Sequence, residues 1–231
     1  MFYHIVLAEG LENIGKKDVA WSYVATIFSV GAGVILLPFI AHKLSAETVG
    51  IWTLFTNITT LVFLLDFGFR PSFARNLSYI FSGVKQLKKE GVDTIDHNQN
   101  QVDYSLLKAS IRSMQKFYRW MALVVLLLLL TAGTAYIYYI ISNKYSGDHT
   151  DALVAWFMLV AINCYNLYTF YYDALLTGKG YIKRSQQITI IGQALYIIIA
   201  VLFIWLGYGL TAIVSAQIVS VLVRRILAYC V

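Results

Sequence analysis

Uncharged apolar runs separated by short basic clusters make up most of this chain. Residues 19–41 and 120–142 carry no charge, 49–69 carry Asp66 alone, and 152–176 carry Asp173 alone. The stretch Ser185–Val223 is also free of charge, but it is too long for one helix. About 20 residues at about 1.5 Å rise cross about 30 Å of hydrocarbon. Gly207-Tyr208-Gly209 is a turn signal inside the long stretch. It divides the stretch into 185–206 and 210–223, the latter extending toward Tyr229. The pattern therefore predicts an all-α, polytopic membrane protein, a bundle of six transmembrane helices after an N-terminal segment, 1–18.

Composition agrees with that reading. Of 231 residues, 59% are hydrophobic and 13% charged, with a mean hydropathy of +0.66. Soluble domains carry roughly 25% charged residues, so these runs are solvated by lipid or by one another. The net charge of +6 is placed by topology. With the N-terminus inside, one face receives Lys16, Lys17, Arg70, Arg75, the lysines and arginines of 85–119, Lys179, Lys183, Arg184, Arg224 and Arg225. The other receives only Lys43 and Lys144. That bias predicts both termini in the cytoplasm. Trp21 and Trp120 fall at inner ends, and Tyr136, Tyr138, Tyr139, Trp156, Trp205 and Tyr208 near outer ends, as interfacial aromatics do. The basic surplus is thus matched to anionic lipid rather than nucleic acid.

The one long connection, 71–118, is expected on the cytoplasmic side. Leu77, Ile80, Phe81, Val84 and Leu87 follow helical spacing, as if the second span ran on past the membrane. Gly91–Asp103 is polar and reads as a mobile connector. Leu107, Ser110, Ile111, Met114 and Phe117 then alternate with Lys108, Arg112 and Lys116, which predicts a basic amphipathic helix lying on the inner leaflet.

Polar residues inside spans normally face other helices or a wet cavity. Ser22, Thr26, Ser29 and Gly33 form one stripe on the first span, a packing face or a cavity wall. Thr53, Asn57 and Thr60 share a face of the second; Asn166, Thr169 and Asp173 share a face of the fourth; the fifth carries Gln193. Stripes on four spans predict a water-accessible vestibule, with Asn57, Thr60, Asn166, Thr169 and Gln193 as its lining. Asp66 and Arg70 stand four apart with the acid first, the favourable order for a structural ion pair. The sharper alternative makes Arg70 and Arg75 anion-binding groups at the cytoplasmic mouth, since arginine pairs bidentately with phosphate. Asp66 and Asp173 are the candidate coupling acids, although Asp173 at an inner end is equally open to solvation.

Other chemistry lacks residues to carry it. His4, His42, His97 and His149 are dispersed, Cys164 and Cys230 read as inert thiols, and Gly178-Lys179-Gly180 lacks the rest of a phosphate-binding loop. No catalytic set, metal site or cofactor is expected.

Three stretches carry a family resemblance. Leu44-Ser45-Ala46-Glu47-Thr48-Val49-Gly50-Ile51-Trp52 looks like an outer hairpin joining the first two helices. Leu64-Leu65-Asp66-Phe67-Gly68-Phe69-Arg70, followed by Ala74-Arg75, looks like the end of the second helix, where Asp-x-Gly precedes a basic residue. Ala174-Leu175-Leu176-Thr177-Gly178-Lys179-Gly180 and Gly207-Tyr208-Gly209-Leu210 look like turns flanking the fifth helix. From about Lys16 to Arg225, the chain resembles the N-terminal half of bacterial polysaccharide or O-unit flippases of the multidrug/oligosaccharidyl-lipid/polysaccharide (MATE-like) exporter superfamily. The resemblance implies a multi-pass inner-membrane transporter, not an enzyme. Its expected cargo is an undecaprenyl-pyrophosphate-linked oligosaccharide for O-antigen (lipopolysaccharide) or capsular polysaccharide biosynthesis. It also implies two six-helix lobes, so this chain is expected to be one lobe, a fragment or a half that pairs with a second chain. A drug or small-cation exporter of the same superfamily and a non-transporting scaffold of a polysaccharide-assembly complex are the alternatives.

Overall fold

The computed structural model describes residues 16–83 and 102–230. Among these, α1 is Lys16–Lys43, α2 Ala46–Leu64, α3 Phe69–Phe81, α4 Tyr104–Leu128 and α5 Thr134–Lys144. Helix α6 is His149–Tyr168, α7 Phe170–Lys179, α8 Ile182–Trp205 and α9 Leu210–Cys230, and a π turn, Leu129–Gly133, joins α4 to α5. Six helices are long and apolar enough to cross a membrane: Asp18–Lys43, Ala46–Phe81, Tyr104–Lys144, His149–Lys179, Ile182–Trp205 and Leu210–Cys230.

Local chemistry sets the breaks. Ser45 caps α2, its hydroxyl accepting from Thr48 N–H, while Asp103 accepts from the N–H groups of Ser105 and Leu106 to start α4. Asp148 does the same for Thr150 and Asp151 at α6. Phe67 and Gly68 adopt left-handed backbone at φ 45° and 76°, which ends the second span's first helix and restarts it as α3. Gly180 closes α7 in the same conformation.

Gly133, the last residue of the π turn, lies against Trp156. A Cβ there would lie 3.0 Å from the indole, and the indole N–H donates to Thr134.

Helix α8 packs along both α1 and α9; α9 also lies on α6, and α6 on α4 and α2. Helix α3 packs tightly on α7, because Gly178 leaves room for the α3 backbone. A Cβ at 178 would stand 2.6 Å from Leu77 Cβ and 2.8 Å from the Ala74 carbonyl oxygen. Ile27, Val30 and Val34 of α1, and Leu123, Val124 and Leu127 of α4, point outward. A bundle solvated by lipid needs no polar cover at such positions.

The amphipathic stretch expected on the inner leaflet stands elsewhere. Residues 104–128 form one helix continuous with the third span, and Leu107, Ile111, Met114 and Tyr118 are buried in one cluster with Ala74, Leu77, Ile80 and Phe81. The apolar stripe meets α3, not lipid, because α3 presents a matching stripe. The expected positions Val84 and Leu87, and residues 91–101 of the connector, lie outside the described residues, as does most of the segment 1–18.

Candidate functional site

The arginines that line the interior, with the carboxylates Asp66 and Asp173, gather at one end of the bundle, the basic end. Asp66 and Arg70 (between and within α2 and α3), Asp173 (α7) and Arg224 and Arg225 (α9) meet there. The opposite end is held by other polar contacts: Glu47 accepts from Ser146 N–H at 2.7 Å, and Tyr145 shares a hydroxyl contact with Thr48 at 3.2 Å. Asp151 takes up the first N–H groups of α9, from Leu210 at 2.7 Å and Thr211 at 3.3 Å, together with the Thr211 hydroxyl at 2.6 Å.

Between α2 on one side and α8 and α9 on the other lies a cavity of about 460 Å³, floored by α6 and α7. That volume falls within the range of small-molecule sites, about 300–1,000 Å³. Thr56, Thr59 and Thr60 give it a hydroxyl wall; Trp52, Phe55, Phe63 and Tyr196 supply aromatic surface; Arg70, Asp173, Arg224 and Arg225 close its basic end.

Two ion pairs organise that end. Asp66 is 4% exposed. The Tyr118 hydroxyl donates to it at 2.9 Å, and Arg70 Nε approaches it at 3.5 Å. The Arg70 guanidinium also lies over the Phe170 ring, 4.1 Å from its centroid. The second pair joins distant segments. Arg225 donates to both Asp173 oxygens, Nη1 at 2.8 Å and Nη2 at 3.2 Å, and Nη2 donates to Asn166 Oδ1 at 2.7 Å. Asn166 and Asp173 are seven residues apart on one face, and Thr169 between them bends the chain by bonding its hydroxyl to the carbonyls of Tyr165 and Asn166. Across this break one guanidinium, that of Arg225, bonds both side chains.

The sites expected from sequence divide accordingly. Arg70, Thr60, Asn166, Asp173 and Gln193 line the cavity. Asn57 is exposed on α2 away from the lining, and Arg75 is exposed on α3. Thr169 is buried but spends its hydroxyl on its own helix, and Asp66 is occupied by Tyr118 and Arg70. The stripe of the first span does not reach this cavity. Ser22 bonds the Asp18 carbonyl and Thr26 the Ser22 carbonyl, each four residues back along α1. Arg224 and Arg225, read from sequence only as topological charges, are the residues that reasoning missed. A signal was present: a sixth span drawn to Tyr229 runs straight through both arginines, and charges inside a span ordinarily serve a cavity or a partner.

Fold and cavity together define the class: a multi-pass α-helical membrane protein with a polar, arginine-ended cavity inside its bundle. No protein-family model, curated protein or solved structure matches the chain.

Proposed function

We propose that this chain is one lobe of a transporter that flips a polyprenyl-diphosphate-linked oligosaccharide across the bacterial inner membrane, with both termini cytoplasmic. The observation that carries the reading is the graded cavity. Thr56 and Thr60 donate to carbonyls of their own helix, and Thr59 accepts from Asn163. Their oxygens thus serve as acceptors that, with the aromatic faces, suit sugar hydroxyls, and guanidinium groups at the basic end suit a diphosphate. On the positive-inside reading, that end faces the cytoplasm, the side from which a lipid-linked precursor would be taken. Alternating access requires a second rigid body against which this bundle rocks, so a second lobe or second chain belongs to the working transporter. A cation exporter fits less well, because Asp173, the carboxylate on the cavity wall, already holds Arg225. A passive scaffold gives no reason to keep arginines inside the bundle.

The test is capture of cargo in cells. A photoreactive residue at Thr60 should form an adduct bearing oligosaccharide in cells that make the lipid-linked precursor, and none in cells that do not. The same residue at the outward-facing Leu127 should form none in either. Membrane-inserted protein that gives no sugar-bearing adduct at Thr60 overturns the reading.

A further inference from the structure

The charges on the cavity wall do not balance locally. Asp66 is within 3.5 Å of Arg70, and Asp173 is bonded to Arg225. Arg224 makes no hydrogen bond or ion pair among the described residues, yet it lines the cavity and stands close enough for both Arg225 and Asp173 to act on it electrostatically. Its position is built rather than incidental. The Arg224 stem lies across Gly192 of α8, so closely that a Cβ at 192 would be 2.5 Å from both Cγ and Cδ. Ser220, one turn earlier on α9, donates to the Gly192 carbonyl at 2.8 Å and fixes the two helices at that point. A second donor nearby is also unmet: Arg225, 8% exposed, has its Nε–H buried without an acceptor. Arg224 is half-buried and lines the cavity, so its unpaired charge is open to a ligand, and a guanidinium in a membrane bundle is costly until a countercharge is supplied.

We infer that Arg224, beside the anchored Arg225, forms a binding site for a phosphate-bearing anion inside this single bundle. The phosphate oxygens face the Arg224 fork, which pairs with them bidentately. Arg225 is the fixed second cation, held by Asp173 and Asn166 so that it does not follow the ligand. Asp173 is thereby a positioning residue. The ligand class is a diphosphate or phosphate monoester, carried either on a lipid or free in solution. The inference deepens the transport reading, on which the identity of any attached lipid or sugar rests; the anion site itself rests on the charge arrangement.

The experiment uses the full chain in nanodiscs of neutral phosphatidylcholine. It is titrated with inorganic pyrophosphate, with a short-chain polyprenyl diphosphate, and with the corresponding polyprenyl alcohol. The diphosphates should bind and the alcohol should bind at least about tenfold more weakly. Arg224→Gln should weaken diphosphate binding by about tenfold or more, Arg224→Lys by less, and Lys144→Gln, at the opposite end, not at all. Gly192→Ala keeps every arginine but displaces the Arg224 stem, and it should reproduce the loss with the protein still folded. A polyprenyl diphosphate that binds at least about tenfold tighter than pyrophosphate assigns the site to a lipid headgroup; equal affinity assigns it to a free anion. Failure of the unmodified protein to bind either diphosphate overturns the inference. So does wild-type affinity in both Arg224→Gln and Gly192→Ala. Diphosphate binding without a sugar adduct at Thr60 sinks only the oligosaccharide reading, and the reverse result sinks only the Arg224 site.

Discussion

Replacing Asp173 by Ala is the sharpest perturbation of this bundle, because its two ends are unequally exposed. The Arg225 side chain is 9% exposed and that of Asp173 is 32% exposed. Without the carboxylate, Arg225 keeps one acceptor, Asn166 Oδ1 at 2.7 Å, while its Nε is already unmet. Breaking a buried pair by removing one partner costs about 3–5 kcal/mol. The partial exposure of Asp173 places the loss at the lower end, about 3 kcal/mol. Arg225→Met should cost less, about 1–2 kcal/mol, because the orphaned carboxylate is reached by water and the methionine fills much of the space. The double substitution should recover most of the loss of Asp173→Ala, since no uncompensated charge remains. At about 2–4 °C per kcal/mol for a chain of this size, Asp173→Ala lowers the midpoint by about 6–12 °C. The assay is built into the protein. Cys164 is buried and Cys230 exposed, so in a Cys230→Ser background a thiol-reactive dye reports unfolding through Cys164 alone. Equal midpoints for the two single variants, or a double variant no more stable than Asp173→Ala, would refute the asymmetric-pair reasoning.

Three further outcomes follow from the same geometry. Tyr118→Phe leaves the buried Asp66 Oδ1 without its 2.9 Å donor and should cost about 2 kcal/mol by the same dye assay, with full retention of membrane insertion. Asp151→Ala removes the acceptor for two backbone N–H groups and a hydroxyl at the start of α9. It should cost about 1–2 kcal/mol and accelerate amide exchange at Leu210 and Thr211 while leaving α8 unchanged. Gly178→Ala drives a methyl group into Leu77 and the Ala74 carbonyl, so α3 should separate from α7 at a cost of about 1–3 kcal/mol, read as raised protease sensitivity after Phe81.

What the amino-acid sequence alone determined is whatever a helix settles within itself. Six apolar runs of sufficient length specify six helices, because in hydrocarbon each backbone must satisfy its own hydrogen bonds. The Asp66–Arg70 pair was expected from i,i+4 spacing on a helix and it does form, but across the left-handed break at Phe67 and Gly68 rather than along one helix. Tertiary structure decided what depends on the rotation and pairing of whole helices. Asp173 met Arg225 across 52 residues, and Asn166 reached the same guanidinium across 59. Asn57 and Thr60 belong to one polar stripe of α2, but only Thr60 looks into the cavity, since a narrow change of helix azimuth separates lining from outside. The basic stretch after Asp103 had the pattern of a leaflet-bound helix, and only the matching stripe on α3 stood it upright. Periodicity gives a face its polarity but not its neighbour; that is chosen by shape and charge contributed from the far end of the chain.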